Sequence, residues 1–169
     1  MPSKKSKTSA KLFRPWRAAR DFSESELALL VSGKLAREIE PGDRLLLEGP
    51  LGAGKTTLAR ALLLGLGIDQ PPEGSPTFAI AHEYRSRKLG GVAHLDLYRL
   101  KSEAELEDAG VLAYFWERKL VVIVEWTSLM PGLLASLEAD AQRGARTWKI
   151  ALAPTDVPEL RNLDITRNF

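Results

Sequence analysis

Leu27, Leu30, Val31 and Leu35 recur at helical intervals behind Ser23 and Glu26, which have the spacing of a capping box, and this predicts a first helix over 23–38. After the turn signal Pro41-Gly42-Asp43, the unbroken apolar run Leu45-Leu46-Leu47 reads as a short strand buried on both faces. It leads into glycines. From Lys55 to Leu64 good helix formers dominate, with Gly65 and Gly67 as a stop. Thr77–Tyr84 and Val92–Leu97 read as two antiparallel strands joined across Lys88-Leu89-Gly90-Gly91. Ser102 and Glu105 cap a short helix that stops at Gly110, and Leu120–Val124 is a second central strand with Glu125 at its end. Farther on the pattern weakens. Strands are expected near 134–140 and 147–152, with a turn around Gly144.

The order strand, Gly-rich loop, helix, then further strands predicts a single-domain α/β fold: a P-loop NTPase sheet with parallel central strands, antiparallel additions and flanking helices. A length of 169 residues agrees with one domain, and 44% hydrophobic with 27% charged residues is a globular balance. The absence of cysteine removes disulfide, thiolate-metal and cysteine-nucleophile chemistry, and His82 and His94 are too few for a histidine zinc cage. No apolar run approaches the ~18 residues of a membrane span, so a cytoplasmic location is expected.

The formal charge of +2 conceals an asymmetry. Seven of the 24 basic residues lie in positions 1–20, which hold no acid, so positions 21–169 carry −5. The expected organisation is a basic leader over 1–20, a P-loop domain over 21–155 and a C-terminal tail over 156–169. The leader reads as a solvated arm, with an RNA-binding arm or a targeting segment as alternatives.

Gly49-Pro50-Leu51-Gly52-Ala53-Gly54-Lys55-Thr56 satisfies G-x-x-x-x-G-K-[ST] at every fixed position, between a predicted strand and a predicted helix. Binding a triphosphate needs many N–H donors converging on its oxygens, and glycines at 49, 52 and 54 let the backbone come close. Leu51, Ala53 and Thr57 complete the stretch whose amides face the nucleotide. The following helix adds its N-terminal donors and dipole; Lys55 supplies a charge for the β- and γ-phosphates, and Thr56 offers a hydroxyl to Mg²⁺. Such a site also needs a strand-end carboxylate. Glu125, closing the most hydrophobic strand, is assigned to the metal, and Asp96, on an alternating strand, to orienting the attacking water, with an exchange of roles left open. His94 reads as a hydrogen-bonded packing residue rather than a base. Tyr98 and Arg99 read equally as core-edge residues or a partner surface, and Trp126 either stacks near the base or packs at the cleft rim.

Taken together, Leu51-Gly52-Ala53-Gly54-Lys55-Thr56-Thr57, Ser75-Pro76-Thr77-Phe78, Glu83-Tyr84, His94-Leu95-Asp96-Leu97-Tyr98-Arg99-Leu100 and Glu125-Trp126 resemble, in order and spacing, the TsaE (YjeE) family over roughly 22–152. The resemblance implies an ATPase that takes ATP as substrate with Mg²⁺. It would support TsaB and TsaD, which with TsaC make N6-threonylcarbamoyladenosine at position 37 of tRNAs reading codons that begin with A. tRNA would be met through that complex, direct contact being left open. The resemblance further implies that Thr56 and Glu125 hold Mg²⁺ and that Lys55 binds the phosphates. It gives Asp96 a catalytic role in hydrolysis, makes Ser75-Pro76-Thr77 a switch loop, and places Trp126 beside the nucleotide. One departure stands out: Thr127-Ser128-Leu129 follows Glu125-Trp126 where the family commonly has a later acid, so no role is expected there.

Three rivals remain. A small-molecule P-loop kinase would use Arg85-Ser86-Arg87-Lys88 as a lid, but that run falls in a predicted hairpin. A GTPase would need Asn-Lys-x-Asp, and the only asparagines are Asn162 and Asn168. A nucleotide-gated interaction module with negligible turnover would order the Ser75–Phe78 loop when ATP binds.

Overall fold

A computed structural model describes residues 20–76 and 79–167; residues 1–19 of the leader, Thr77, Phe78, Asn168 and Phe169 lie outside the described residues, and Arg20, the last leader position, opens β1. A seven-stranded sheet runs through the centre in the order β1-β7-β6-β2-β5-β4-β3. Its strands are β1 (Arg20–Ser23), β2 (Arg44–Glu48), β3 (Ala81–Ser86), β4 (Gly90–Asp96), β5 (Val121–Glu125), β6 (Thr147–Pro154) and β7 (Leu160–Arg167). The four inner strands β6, β2, β5 and β4 are mutually parallel, and β3, β7 and β1 are added antiparallel at the two sides. The expected mixed sheet is therefore found.

Alternation along the strands sorts the core into two layers. Leu45, Leu47, Val121 and Ile123 face helices α1 (Glu24–Leu29), α2 (Ala36–Glu38) and α3 (Lys55–Gly65), whereas Leu46, Ala93, Leu95, Val122 and Val124 face the other way. That second layer holds α4 (Glu103–Asp108), α5 (Leu112–Trp116) and α6 (Pro131–Gln142), through Leu106, Phe115 and Leu137. Ser23 ends β1 and caps α1: its hydroxyl accepts from Glu26 N at 3.3 Å while Glu26 Oε2 accepts from Ser23 N at 2.9 Å.

The first helix is not uniform. Between α1 and α2 the chain widens into a π-helical segment (Leu30–Leu35), where the Ser32 hydroxyl donates back to Ala28 O at 2.7 Å. Gly65 at the end of α3 packs there so closely that a Cβ would stand 2.4 Å from Ser32 O. At the far end of the sheet Asp43 is fully buried and accepts from Arg146 Nε at 2.5 Å, Trp148 Nε1 at 2.9 Å and Glu40 N at 3.1 Å. Beside it Arg44 Nη2 meets Asp140 Oδ2 at 2.7 Å.

Two expectations are corrected. Residues 134–140 belong to helix α6, not to a strand: Pro131 opens it, Leu133, Leu137 and Ala141 recur every fourth residue on its buried side, and Gly144, with φ +101°, follows its end. Nor do residues past 155 simply trail from the domain. β7 pairs with β6 from Trp148↔Arg167 to Pro154↔Arg161 and buries Leu163 and Ile165 completely. Among the described residues no helix is long and apolar enough to cross a membrane.

Candidate functional site

Register and parity assemble the site. Asp96 and Glu125 end β4 and β5, Leu47 stands one residue before the end of β2, and Glu125 pairs across the sheet with both Leu47 and Asp96. Because Val121 and Ile123 face α3, Glu125 does too; by the same count so do Asp96 and, two residues earlier, His94. All three polar groups thus meet the start of α3 at the carboxyl ends of parallel strands, the place where open α/β sheets bind ligands.

The loop between β2 and α3 is built on positive φ angles: Gly49 at +144°, Gly52 at +77° and Gly54 at +99°. Gly49 passes so near β6 that a Cβ would stand 2.3 Å from Leu152 O. Ala53 tucks into the core, Leu51 projects outward with 75% of its surface exposed, and Thr57 is exposed on α3. The Lys55 ammonium donates to Gly49 O at 2.8 Å and Pro50 O at 2.9 Å, and lies 3.5 Å from the centre of the Trp126 ring. Burial lowers its pKa, and the nearby negative charges of Glu125, Glu48 and Asp96 act against that shift.

Glu125 and Asp96 are almost wholly buried. Thr56 Oγ1 donates to Glu125 Oε2 at 3.1 Å, and His94 Nε2 lies 2.9 Å from Glu125 Oε1. Asp96 Oδ1 accepts from Tyr98 N at 2.9 Å. The Ser75 hydroxyl is aimed at both acids, 2.5 Å from Asp96 Oδ2 and 3.3 Å from Glu125 Oε1. Trp126 follows with φ +68°; its backbone N–H donates to Leu47 O at 3.3 Å and its ring meets Tyr98 at 4.9 Å between centroids. Gly52, Gly54, Lys55, Thr56, Ser75, Asp96, Glu125 and Trp126 border one cleft of about 460 Å³. A second, of about 830 Å³, lies on the other side of the loop and shares Gly52, Gly54 and Thr57 with the first.

The donor set suits a small hard cation. Thr56 and two buried carboxylates offer only oxygen, and among the described residues no group of three or more His, Cys, Asp or Glu could hold a metal by itself. Mg²⁺ is commonly held that way, by one or two carboxylates with substrate phosphates and water completing its shell.

The structure brings together every described residue that the sequence assigns to phosphate, metal or water; Pro76 is described beside Ser75, and Thr77 lies outside the described residues. The Arg85–Lys88 run sits at the β3–β4 turn, the opposite end of β4 from Asp96, so it forms no lid over the loop. Sequence reasoning missed two contacts. The His94–Glu125 pair was signalled by the two-residue step from His94 to Asp96. Glu48, whose carboxylate accepts from Ser128 N at 3.0 Å and Ser128 Oγ at 2.7 Å, carried no signal, because the contact joins the end of β2 to the turn after β5, 80 residues apart in sequence.

Comparison with known proteins places this architecture. The TsaE family model, "Threonylcarbamoyl adenosine biosynthesis protein TsaE", matches residues 23–153. The chain is similar to the tRNA threonylcarbamoyladenosine biosynthesis protein TsaE of Bacillus subtilis, 40% identical over 115 residues, which covers 68% of this chain and 67% of that one. It is also similar to the Haemophilus influenzae protein of the same name, 38% identical over 126 residues, covering 70% and 76%. The crystal structure of B. subtilis YdiB superposes with a TM-score of 0.62 at 25% identity, covering 91% of this chain and 88% of that one. With the model match spanning the phosphate loop, both carboxylate strands and β6, the chain belongs to the TsaE family.

Proposed function

We propose that this chain serves tRNA threonylcarbamoyladenosine biosynthesis as a Mg²⁺-dependent, cytoplasmic ATPase. It acts with TsaB and TsaD on tRNAs reading codons that begin with A, converting ATP and water to ADP and phosphate. The observation that carries the reading is the register that sets Asp96 and Glu125 side by side under Thr56 and the glycine loop. Loop amides and the first turn of α3 bind the phosphates. Lys55 turns from its two carbonyl partners to the β- and γ-oxygens. Thr56 and Glu125 would hold Mg²⁺, which when bound neutralises phosphate charge. Asp96 accepts a hydrogen bond from the attacking water and aims its oxygen at the γ-phosphorus, while the β–γ bridging oxygen leaves with ADP. The nucleoside lies in the larger cleft across the loop, a reading supported by the three residues the two clefts share.

ATPase assays with and without TsaB–TsaD test this directly. Phosphate release should exceed that of a Lys55→Ala variant by at least ~10²-fold, the usual scale for removing a group that stabilises transferring phosphate. Equal rates in the two proteins would refute hydrolysis. A second reading, nucleotide-gated binding to partners, is favoured by Ser75: its hydroxyl ties the switch loop to both acids, so changing their company changes the loop. Partner binding that follows nucleotide occupancy without phosphate release would select that reading.

A further inference from the structure

The two oxygens of Glu125 keep different company. Oε2 accepts from Thr56 Oγ1, on the side of the phosphate loop. Oε1 lies 2.9 Å from His94 Nε2 and 3.3 Å from Ser75 Oγ, on the side of β4. The Ser75 hydroxyl has one hydrogen and stands nearer to Asp96, at 2.5 Å, so it is a divided donor to Glu125. His94 is not a switch-loop residue but sits inside the sheet, paired with Ile123 two residues before the Asp96↔Glu125 pair and so on the same face as both acids. Only 3% of the His94 side chain and 2% of the Glu125 side chain are exposed, so water competes little for this contact.

We propose that His94 is a positioning residue of the metal site: its Nε2–H holds Glu125 Oε1 and thereby turns Oε2 toward Thr56 and the cation. This rests on the reading of Thr56 and Glu125 as the Mg²⁺-holding pair. A carboxylate oxygen only accepts, so the imidazole must present its hydrogen at Nε2. The arrangement is the outer-shell contact that fixes a ligating carboxylate, whose loss typically weakens metal binding by about 10–100-fold. A histidine that merely filled space would tolerate any side chain of similar size and polarity. One that positions Glu125 tolerates only a donor located where Nε2 is.

Glutamine and asparagine separate these cases, because the Gln amide nitrogen reaches the place of Nε2 and the Asn amide nitrogen only that of Nδ1. Calorimetry with the β,γ-imido analogue of ATP, in a Mg²⁺ series and in EDTA, gives the Mg²⁺ half-saturation and the metal-free affinity for each protein; thermal melts show that each is folded. We expect His94→Asn to raise the Mg²⁺ half-saturation about 10-fold or more with metal-free affinity unchanged, and His94→Gln to stay within about 3-fold of the parent. Asn and Gln variants that behave alike, or a metal-free affinity that falls in parallel, overturn the proposal. The parent protein and Glu125→Gln serve as the second arm. If binding by the parent ignores Mg²⁺, or Glu125→Gln leaves its Mg²⁺ response intact, the metal reading of the site fails and takes this inference with it. If both respond as expected and His94→Asn does not, only the role of His94 is refuted.

Discussion

Gly49→Ala perturbs the loop at its first residue, through two separable effects. The residue holds φ at +144°, a conformation L side chains rarely adopt, and a Cβ there would stand 2.3 Å from Leu152 O. Restoring an ordinary C···O contact of about 3.3 Å means shifting one backbone by about 1 Å. Leu152 lies within β6, paired with Leu163 on β7, so the loop is the side that gives. Backbone strain of this kind costs roughly 1–3 kcal/mol of stability. The displacement moves Gly49 O, an acceptor for Lys55, together with the loop amides proposed to meet phosphate. Misplacement by about 1 Å can lower turnover about 10²-fold. Gly67→Ala is the control: φ is +81° with nothing within 4 Å of a Cβ, and the residue lies beyond α3, away from both clefts. It should lose about 1–2 kcal/mol and bind nucleotide normally. Urea unfolding and MgATP calorimetry on both variants decide the matter. Gly49→Ala protein with parental affinity and an unchanged unfolding midpoint would refute the close-approach argument.

Glu125→Gln should weaken Mg²⁺-dependent nucleotide binding more than Asp96→Asn does, measured by calorimetry with and without EDTA; the reverse order exchanges the two acids' roles. Asp43→Asn should lose about 1.5–3 kcal/mol in urea unfolding followed by circular dichroism, because the charge-assisted hydrogen bonds from Arg146 are lost while Glu40 and Glu38 O still meet that side chain; a loss under about 0.5 kcal/mol would contradict it. The Arg44 hydrogen bond holds the Asp140 carboxyl below its ordinary value of 3.8, so its stabilisation is complete above that pH and is lost as pH falls through the depressed value. Asp140→Asn should therefore cost about 1.5–3 kcal/mol at pH 7, and the gap to the parent should shrink at pH values below about 3.8, where the unfolded parent is protonated. A gap constant from pH 7 to pH 3 would show that the pair contributes no charge-dependent stability.

Much of the fold could be read before any coordinates because its signals are local. Ser23 with Glu26, the β-branched run ending at Glu125 and the glycine spacing around Lys55 each specify their own element within a few residues. Residues 134–140 of helix α6 read as a strand although Leu133, Leu137 and Ala141 lie four apart, because the further apolar residues between them blur that spacing. Strand β7 offers just Leu163 and Ile165 as buried alternating positions, too short a pattern to stand out, and its place depends on pairing with both β1 and β6. The π-helical widening at Leu30–Leu35 lies where Gly65 packs against Ser32, a contact between residues distant in sequence that no local pattern signals. For the site, residue types and their faces were legible. Which oxygen of Glu125 meets which donor was not, because that depends on the offset between β4 and β5 and on where the Ser75 loop returns.

The inward grip on Lys55 has a bearing on discrimination. An incoming anion must draw the ammonium away from two peptide oxygens and an indole face before gaining its charge. Compounds bearing a single phosphoryl group offer little to exchange for those contacts, whereas a chain of three offers several oxygens at once. If the loop binds ATP as proposed, this grip would favour chains of phosphates over single phosphates by requiring multiplicity.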